Sequence, residues 1–258
     1  MSDTKDKLIE QAGGVLEKTY DDIVHPSAKS IGNTLSLVPR TVGVWLGKWE
    51  KWVINGEESI KLTAAAVQEK ASKIPEEKLT EPESYVAIPA IQQLSYCYDS
   101  KELREMYANL LVSSMNTDTK YQVHPSFVDI IKQLTPDEAK LLKKLSKGDS
   151  FPLIDVMMMI PSGGYQVRVH NFTNISEDVC DCPSNVFAYL DNFERLKLID
   201  IKNDEFLTND DFYKPLENHA AIQRIVSQTL PEGYSHKIEH GIFKLTAFGR
   251  EFIKICLS

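Results

Sequence analysis

Cysteine is scarce in this chain, and no signal peptide is recognisable at its start. The 258 residues include four cysteines, Cys97, Cys180, Cys182 and Cys256, which are too few and too scattered for the disulfide framework of a secreted protein. The first residues, MSDTKDKLIEQ, lack the apolar core that a signal peptide requires. These two absences predict a cytoplasmic protein whose thiols are reduced.

Motifs that identify an enzyme are missing as well. The sequence contains no P-loop, no glycine-rich dinucleotide-binding turn, no HExxH metal-binding helix and no nucleophile elbow. Cys180, Cys182, His236 and His240 are four potential metal ligands, but paired cysteines in zinc sites are usually separated by about two to four residues. We therefore predict no catalytic residues, no cofactor and no metal site, in a protein that is not an enzyme.

Helical spacing of apolar residues dominates the first half of the chain. The pattern predicts helices over residues 57–73, 87–98 and 126–133. Asp99 and Glu102 predict a capping box at the start of a further helix, whose apolar stripe includes Met106, Tyr107 and Leu110. Residues 1–133 are accordingly predicted to form an all-helical N-terminal domain.

Residues 134–258 follow a different pattern. Thr135 and Pro136, followed by two acids, are typical of a helix start. Further short helices are predicted over Pro152–Met159 and after Ser184, and the segments LKLIDI and HKIEHGIFKL predict strands before a final helix. This element order is that of a winged helix-turn-helix domain. The predicted fold class is therefore mainly α, with a winged helix-turn-helix-like α/β domain at 134–258.

Charge decides what such a domain could bind. Residues 134–258 carry 14 Lys and Arg against 18 Asp and Glu, a net charge of −4. The predicted recognition helix, SNVFAYLDNFERL, has two acids and one base, whereas DNA binding requires neutralisation of phosphates. Protein contact is therefore favoured over DNA contact, and the candidate contact residues on this helix are Asn185, Tyr189, Asn192 and Arg195.

All three tryptophans lie close together in the sequence. Trp45, Trp49 and Trp52 have the spacing that aligns side chains on one helix face. A packed aromatic seam is the favoured interpretation, and docking to a partner or to a membrane surface is the alternative. A membrane-spanning helix is disfavoured because charged residues interrupt the apolar region 31–54 before it reaches about 20 residues.

Five phrases occur in the chain in the order IPEEKL, VAIPAIQQLSY, ELREMYANLLVSSM, VHPSFVDIIKQL and TPDEAKLL. Through these phrases the chain resembles the abortive infection alpha family of bacterial proteins, most strongly over Tyr85–Leu145. The resemblance implies a role in defence against phage, in which an infected cell stops growing or dies before phage release. It brings no catalytic residues, and Arg104, Tyr107, Asn109 and His124 within these phrases are expected to be structural.

The leading hypothesis is a cytoplasmic defence protein that acts without catalysis, by binding a protein partner or by self-association. The first alternative is a membrane-active effector that uses the Trp-rich region 31–54 for peripheral contact. The second alternative is a DNA-binding winged-helix regulator, which the net charge disfavours.

Overall fold

The computed structural model describes residues 59, 62, 63, 66, 67, 69–94, 96, 97 and 99–257. These residues fall into two compact units. The first comprises the described residues up to Ala139 together with those from Phe252 onwards, and the second comprises Lys140–Glu251. The domain boundary that the sequence predicts, between 133 and 134, stays a prediction.

Helices build most of the first unit. The described residues between 59 and 71 are helical, and they are followed by α1 (Ser84–Leu94), α2 (Lys101–Ser114), α3 (Ser126–Lys132) and the first turn of α4 (Pro136–Leu145). Short 3-10 turns lie at Glu76–Lys78 and Lys120–Gln122. Helices α1, α2 and α3 pack against one another, and the last turns of the C-terminal helix α8 (Ala247–Cys256) also belong to this unit.

Buried aromatic and polar side chains fix the core of the first unit. Tyr107 is fully buried, and its hydroxyl donates to the carbonyl oxygen of Val128 in α3 at 3.2 Å. The rings of Phe127 and Phe252 meet edge to face with centroids 5.3 Å apart. Asn109 donates from Nδ2 to the carbonyl oxygen of Cys256 at 2.9 Å. This bond satisfies a carbonyl at the end of α8 that has no partner within the helix.

The prediction of an all-helical N-terminal domain is wrong. Leu79 and Asn116 form an isolated antiparallel β-bridge. Backbone hydrogen bonds continue on both sides of it, from Thr80 N to Met115 O at 2.8 Å and from Thr117 N to Lys78 O at 2.9 Å. The chain at Leu79, the last residue of the IPEEKL phrase, is therefore held in extended pairing beside the end of α2.

Helix α4 begins with the reciprocal cap that its sequence predicts. The backbone N–H of Glu138 donates to Thr135 Oγ1 at 3.2 Å, and the backbone N–H of Thr135 donates to Glu138 Oε2 at 2.6 Å. Two backbone donors at the helix start are thus satisfied by side chains. Helix α2 begins one residue later than predicted, because Ser100, and not Asp99, accepts from the N–H of Leu103 at 3.2 Å.

Replacing Thr135 by alanine should destabilise the protein measurably without changing its fold. Alanine cannot accept the hydrogen bond from the N–H of Glu138, so we expect the free energy of unfolding to fall by about 1 kcal/mol. Serine at the same position keeps the hydroxyl and should preserve most of the stability. Urea denaturation followed by circular dichroism measures the difference, and equal stability of the two variants would contradict the role of the cap.

A four-stranded antiparallel sheet forms the centre of the second unit. Its strands are β1 (Ser150–Met159), β2 (Tyr165–Phe172), β3 (Ile199–Lys202) and β4 (Ser235–Leu245), in the order β2-β1-β4-β3. Strands β1 and β4 pair continuously from Ser150 opposite Lys244 to Met159 opposite Ser235. The short strand β3 completes the other side of β4, from Ile199 opposite Leu245 to Lys202 opposite Ile242.

The fold class predicted from the sequence is wrong, because the chain is mixed α/β and not mainly α. The sequence predicts a helix over Pro152–Met159, but this segment lies in β1, between β2 and β4. Its run of buried residues, Leu153–Met157, has no alternation, and such a run in a buried strand cannot be distinguished from a buried helix by periodicity alone. Strand β2 is absent from the sequence-based prediction.

Helices cover the sheet of the second unit. Helix α5 (Val186–Arg195) leads into β3 and packs against it. Between β3 and β4 the chain forms two short helices, α6 (Lys214–Glu217) and α7 (Ala220–Val226). They pack on one face of the sheet, in an apolar cluster that consists of Ile154, Val156, Phe172, Tyr213, Leu216 and Ile222.

Among the glycines of the second unit, Gly249 lies closest to a neighbouring backbone. A Cβ atom at this position would lie 1.9 Å from the carbonyl oxygen of Leu198. The same carbonyl accepts from the backbone N–H of Thr246 at 3.0 Å, and Thr246 Oγ1 accepts from the N–H of Gly249 at 2.8 Å. The start of α8 is therefore fastened to the residue before β3, and only a glycine leaves room for this contact.

Candidate functional site

The four predicted contact residues of the second unit all lie on α5 or directly before it, in different surroundings. Asn185 is exposed at the residue preceding the helix, and its side chain does not cap the helix. Tyr189 is buried, and its hydroxyl donates to the carbonyl oxygen of Cys182 at 3.3 Å. Asn192 and Arg195 are bonded to each other, with Arg195 Nη2 donating to Asn192 Oδ1 at 2.6 Å.

The outward side of α5 carries a phenylalanine that is not among the predicted contact residues. Phe187 is 41% exposed, while Val186, Leu190 and Phe193 hold the opposite side of the helix in the core. Asp191 is exposed one turn after Phe187. The α5 surface, defined here as Asn185, Phe187, Ala188, Asp191 and Arg195, therefore combines an apolar ring with one acid and one base. Phe187 could have been found from its helical spacing, because it falls between the buried positions of the stripe.

Trp45, Trp49 and Trp52 lie outside the described residues, so their contact with a partner or membrane stays a prediction. Among the helices that the structure describes, none combines the length and apolar character needed to cross a membrane.

Residues within the phrases that carry the family resemblance make hydrogen bonds that hold the first unit together. Arg104 Nη1 donates to the carbonyl oxygen of Cys97 at 3.1 Å, and Tyr107 and Asn109 make the core bonds described above. His124 accepts the backbone N–H of Ser126 on Nδ1 at 3.2 Å, at the start of α3. These contacts agree with the structural roles expected for the four residues.

A polar cluster that the sequence does not predict lies at a bulge between β1 and β2. Ile154 pairs with Phe172 and Val156 pairs with Val169, so His170 and Asn171 together face Asp155. Asn171 has a φ of 55°, a left-handed conformation that asparagine tolerates better than most residues. The extra residue of the bulge thereby turns the backbone N–H of Asn171 and the ring of His170 towards one carboxylate.

Asp155 is the centre of this polar cluster. Its side chain is almost fully buried and accepts from Asn171 N at 2.7 Å, from His170 Nδ1 at 2.8 Å and from Asn203 Nδ2 at 3.4 Å. Asn203, which follows β3, also donates to Asn171 Oδ1 at 3.0 Å. Three separate segments of the chain therefore share one buried acid. The sequence signal was Asp155 itself, the one charged residue in the apolar run FPLIDVMMMI.

His170 is the exposed member of the cluster. Because a carboxylate only accepts hydrogen bonds, the contact with Asp155 places a ring proton on Nδ1 of His170. The side chain of His170 is 59% exposed. Holding the bulge is sufficient to explain this arrangement.

A second histidine lies on the opposite face of the sheet, below the helices α6 and α7. His240 Nε2 lies 2.7 Å from Glu217 Oε1, and its ring stacks on Tyr213 with centroids 3.8 Å apart. The hydroxyl of Tyr213 donates to Gly241 O at 3.1 Å and accepts from Leu207 N at 2.8 Å. Burial raises the pKa of the Tyr213 hydroxyl, so this group stays protonated and serves as a structural donor.

The potential metal ligands are not grouped as a metal site in the described part of the chain. No three His, Cys, Asp or Glu side chains there lie close enough together to hold an ion. Cys180 is buried and Cys182 is exposed, and His240 is bonded to Glu217. Burial raises the pKa of the Cys97 thiol to about 11 and that of the Cys256 thiol well above its usual value. These two thiols therefore remain protonated and unreactive.

Comparison with known proteins places most of the chain in one family. The family model described as abortive infection alpha matches residues 55–256. No curated protein matches the chain. One similar solved structure is that of an uncharacterized protein from the hydrocarbon-degrading marine bacterium Alcanivorax borkumensis SK2, whose sequence is 20% identical to this chain. The match covers 55% of this chain and 96% of the bacterial protein, with a TM-score of 0.35.

Proposed function

Because the chain belongs to the abortive infection alpha family and is thereby an abortive-infection defence protein, we propose that it acts by binding another protein. The proposed contact is the α5 surface, and no reaction is catalysed there. The single observation that carries the proposal is the exposure of Phe187 on a helix whose other side is firmly packed.

Phe187 provides the affinity of the proposed contact. Burying a whole phenylalanine side chain is worth about 1.5–3 kcal/mol, and the 41% of Phe187 that is exposed makes roughly half of this available to a partner. Aromatic residues are enriched at the centres of protein interfaces, where a few side chains supply most of the binding energy. The buried side of α5, which includes Leu190 and Phe193, fixes the position of the ring before binding. Little conformational entropy is therefore lost when a partner covers it.

The charges of α5 favour a protein partner over DNA. Asp191 is exposed on the same side as Phe187, and the only cation of the helix, Arg195, donates to Asn192 Oδ1 from both Nε and Nη2. A helix in the major groove needs donors that can reach base edges and cations that can reach phosphates. An acid beside an apolar ring instead complements a protein surface that presents a pocket next to a lysine or arginine.

The proposal includes a cytoplasmic location and no cofactor. All four cysteines lie in the described part of the chain, and none of them forms a disulfide. This arrangement supports a reducing compartment. Three of the groups with raised pKa values, the thiols of Cys97 and Cys256 and the hydroxyl of Tyr107, are buried in the first unit, which supports structural roles for them.

Replacing Phe187 by glutamate should abolish partner binding while the protein stays folded. The loss of apolar burial, together with the cost of removing the glutamate charge from water, should raise the dissociation constant at least roughly tenfold. Partners recovered from phage-infected cells with the wild-type chain would be identified by mass spectrometry, purified and titrated against both proteins. Phe212→Glu is the matched control, because Phe212 is also exposed in the second unit but lies outside α5.

The outcomes of this titration separate the alternatives. Equal loss of partner binding in Phe187→Glu and Phe212→Glu would refute contact through the α5 surface. Recovery of no protein with the wild-type chain would refute it as well. Retention on DNA at about 50 mM salt, lost in Phe187→Glu, would indicate the DNA-binding alternative, because electrostatic affinity for DNA is strongest at low salt.

A further inference from the structure

The hairpin of β1 and β2 carries an apolar patch that is open to water. Met157 pairs with Val167, and Met159 pairs with Tyr165. Residues directly opposite each other in an antiparallel pair lie on the same face of the sheet, and side chains alternate between the faces along each strand. These four residues therefore share one face and are called the hairpin face. Tyr165 is 57% exposed and Val167 is 43% exposed, whereas Met157 is buried.

The hairpin face lies on the side of the sheet that α6 and α7 do not cover. Val156 and its partner Val169 belong to or pack against the apolar cluster below these two helices. Because Met157 directly follows Val156 in the strand, its side chain and the rest of the hairpin face point the other way. An antiparallel sheet commonly places polar residues on the face that it turns to water. Tyr165 and Val167 reverse this rule, which indicates a surface that a partner covers.

The charge beside the hairpin face is positive. Arg168 follows Val167 in the strand, is exposed, and forms no ion pair with another residue in the described ranges. Lys237, which lies opposite Met157 in β4, is balanced by Glu239, with Nζ and Oε1 2.6 Å apart. One uncompensated cation therefore stands next to the apolar patch. The net charge of −8 of the whole chain has little influence here, because salt screens charges farther away than about 8 Å.

We propose that the hairpin face binds a short peptide segment of another protein, in which apolar side chains lie next to an aspartate or glutamate. The apolar side chains cover Tyr165 and Val167, and the carboxylate pairs with the guanidinium of Arg168, whose planar fork matches a carboxylate. Met159, which is half-buried beside the tyrosine, has a flexible thioether that adapts to apolar groups of different shape. The peptide lies on the face of the sheet and not along its edge.

Size and charge favour a short peptide over a second copy of the chain. The exposed parts of Tyr165 and Val167 offer on the order of 200 Å², whereas a stable dimer buries about 800 Å² on each partner. A symmetric contact between two hairpin faces would also bring two Arg168 side chains into one small interface, where like charges repel each other. None of these residues belongs to the α5 surface, so the two proposed contacts can fail independently.

A peptide library with counter-selection tests the proposal. Random short peptides displayed on yeast are selected on the full-length wild-type protein and then depleted on Val167→Asp, which places a charge within the hairpin face. We expect the remaining peptides to carry apolar residues next to Asp or Glu. Their dissociation constants, measured by fluorescence anisotropy, should be at least roughly tenfold weaker for Val167→Asp. They should be roughly fivefold weaker for Arg168→Glu, which replaces an attraction by a repulsion.

Gln166→Asp is the matched control. Gln166 is an exposed residue next to Val167 on the same strand, and its side chain lies on the opposite face of the sheet. This variant should bind the selected peptides as the wild type does, and so should Phe187→Glu, which alters only the α5 surface. The far-UV circular dichroism of every variant should match that of the wild type. If Val167→Asp fails to fold, Tyr165→Ser, which adds no charge, takes its place in the depletion step.

Several results would overturn the proposal. One is the absence of peptides that distinguish the wild type from Val167→Asp, and another is the recovery of peptides without acidic residues. Equal loss of affinity in Gln166→Asp would overturn it as well. A dimer in sedimentation velocity that dissociates in Val167→Asp would assign the hairpin face to a second copy. Binding to phosphatidylserine vesicles that is lost in the same variant would assign it to a membrane surface, and either result rejects the peptide.

Discussion

Gly249→Ala should destabilise the protein strongly. The new Cβ would lie 1.9 Å from the carbonyl oxygen of Leu198, and neither partner is a flexible side chain that could turn away. The start of α8 and the residue before β3 must separate, which weakens the hydrogen bonds around Thr246. We expect the free energy of unfolding to fall by about 3 kcal/mol or more and the melting temperature to fall by roughly 10 °C.

Gly148→Ala is the control for this effect. A Cβ at Gly148 would meet only the edge of the Phe151 ring, at 3.3 Å, and a side chain can move by that amount. The change should alter stability by no more than about 1 kcal/mol, since alanine also reduces the conformational entropy of the unfolded chain. Differential scanning calorimetry of both variants measures the contrast. Similar melting temperatures for the two variants would contradict the close approach at Gly249.

Asp155→Ala should have the second-largest effect. The substitution removes the acceptor shared by Asn171 N, His170 Nδ1 and Asn203 Nδ2. A donor left without a partner in a buried position costs about 1–3 kcal/mol. His170 is largely exposed and can turn to water, so the N–H of Asn171 and the amide of Asn203 account for most of the loss. We expect a decrease of about 3 kcal/mol in the free energy of unfolding, measured by urea denaturation.

Two further variants test whether the hydrogen bonds of the polar cluster, and not the charge of Asp155 alone, account for the loss of stability. Asp155→Asn keeps one acceptor oxygen for the N–H of Asn171 and should be less destabilising than alanine. Asp200→Ala removes an acid paired with Lys202 at the surface, and such pairs contribute about 0–1 kcal/mol. A loss in Asp155→Ala no larger than that in Asp200→Ala would show that the buried bonds are not made. The nitrogen chemical shifts of the His170 ring should also change only when Asp155 is altered.

Local signals in the sequence predicted several helices well. The start of α4 at Pro136 followed from four consecutive residues, because a capping threonine and its glutamate act within one turn. The apolar stripe of α2 likewise predicted the burial of Met106, Tyr107 and Leu110, which is confirmed. Helix boundaries depend on weaker signals, and the sequence predicts Asp99 as the cap where Ser100 performs that role.

Features that depend on distant pairing could not be predicted. Ile154 in β1 lies opposite His240 in β4, and no local pattern in FPLIDVMMMI reports a partner so far along the chain. Pro152, which resembles a helix start in the sequence, is accommodated inside the strand opposite Ile242. The mixed α/β fold class was missed for this reason.

The polar cluster was missed for a related reason. Asp155, His170, Asn171 and Asn203 come together only because of a bulge and the position of the chain after β3. Gly241 contributes to this arrangement, since a Cβ there would meet Leu153 Cδ1 at 2.6 Å and the carbonyl oxygen of Lys202 at 3.1 Å. An isolated acid within an apolar run is the one feature of the sequence that could have directed attention to the site.

The irregular pairing of β2 has a consequence for how the protein can be stored in a cell. This outer strand departs from regular register twice, once opposite Asp155 and once between Val169 and Val167, where Arg168 is the additional residue. A bent strand that displays a cation and an imidazole is a poor template for the strands of other molecules. An outer strand of this form therefore lets the protein accumulate without edge-to-edge growth into fibres.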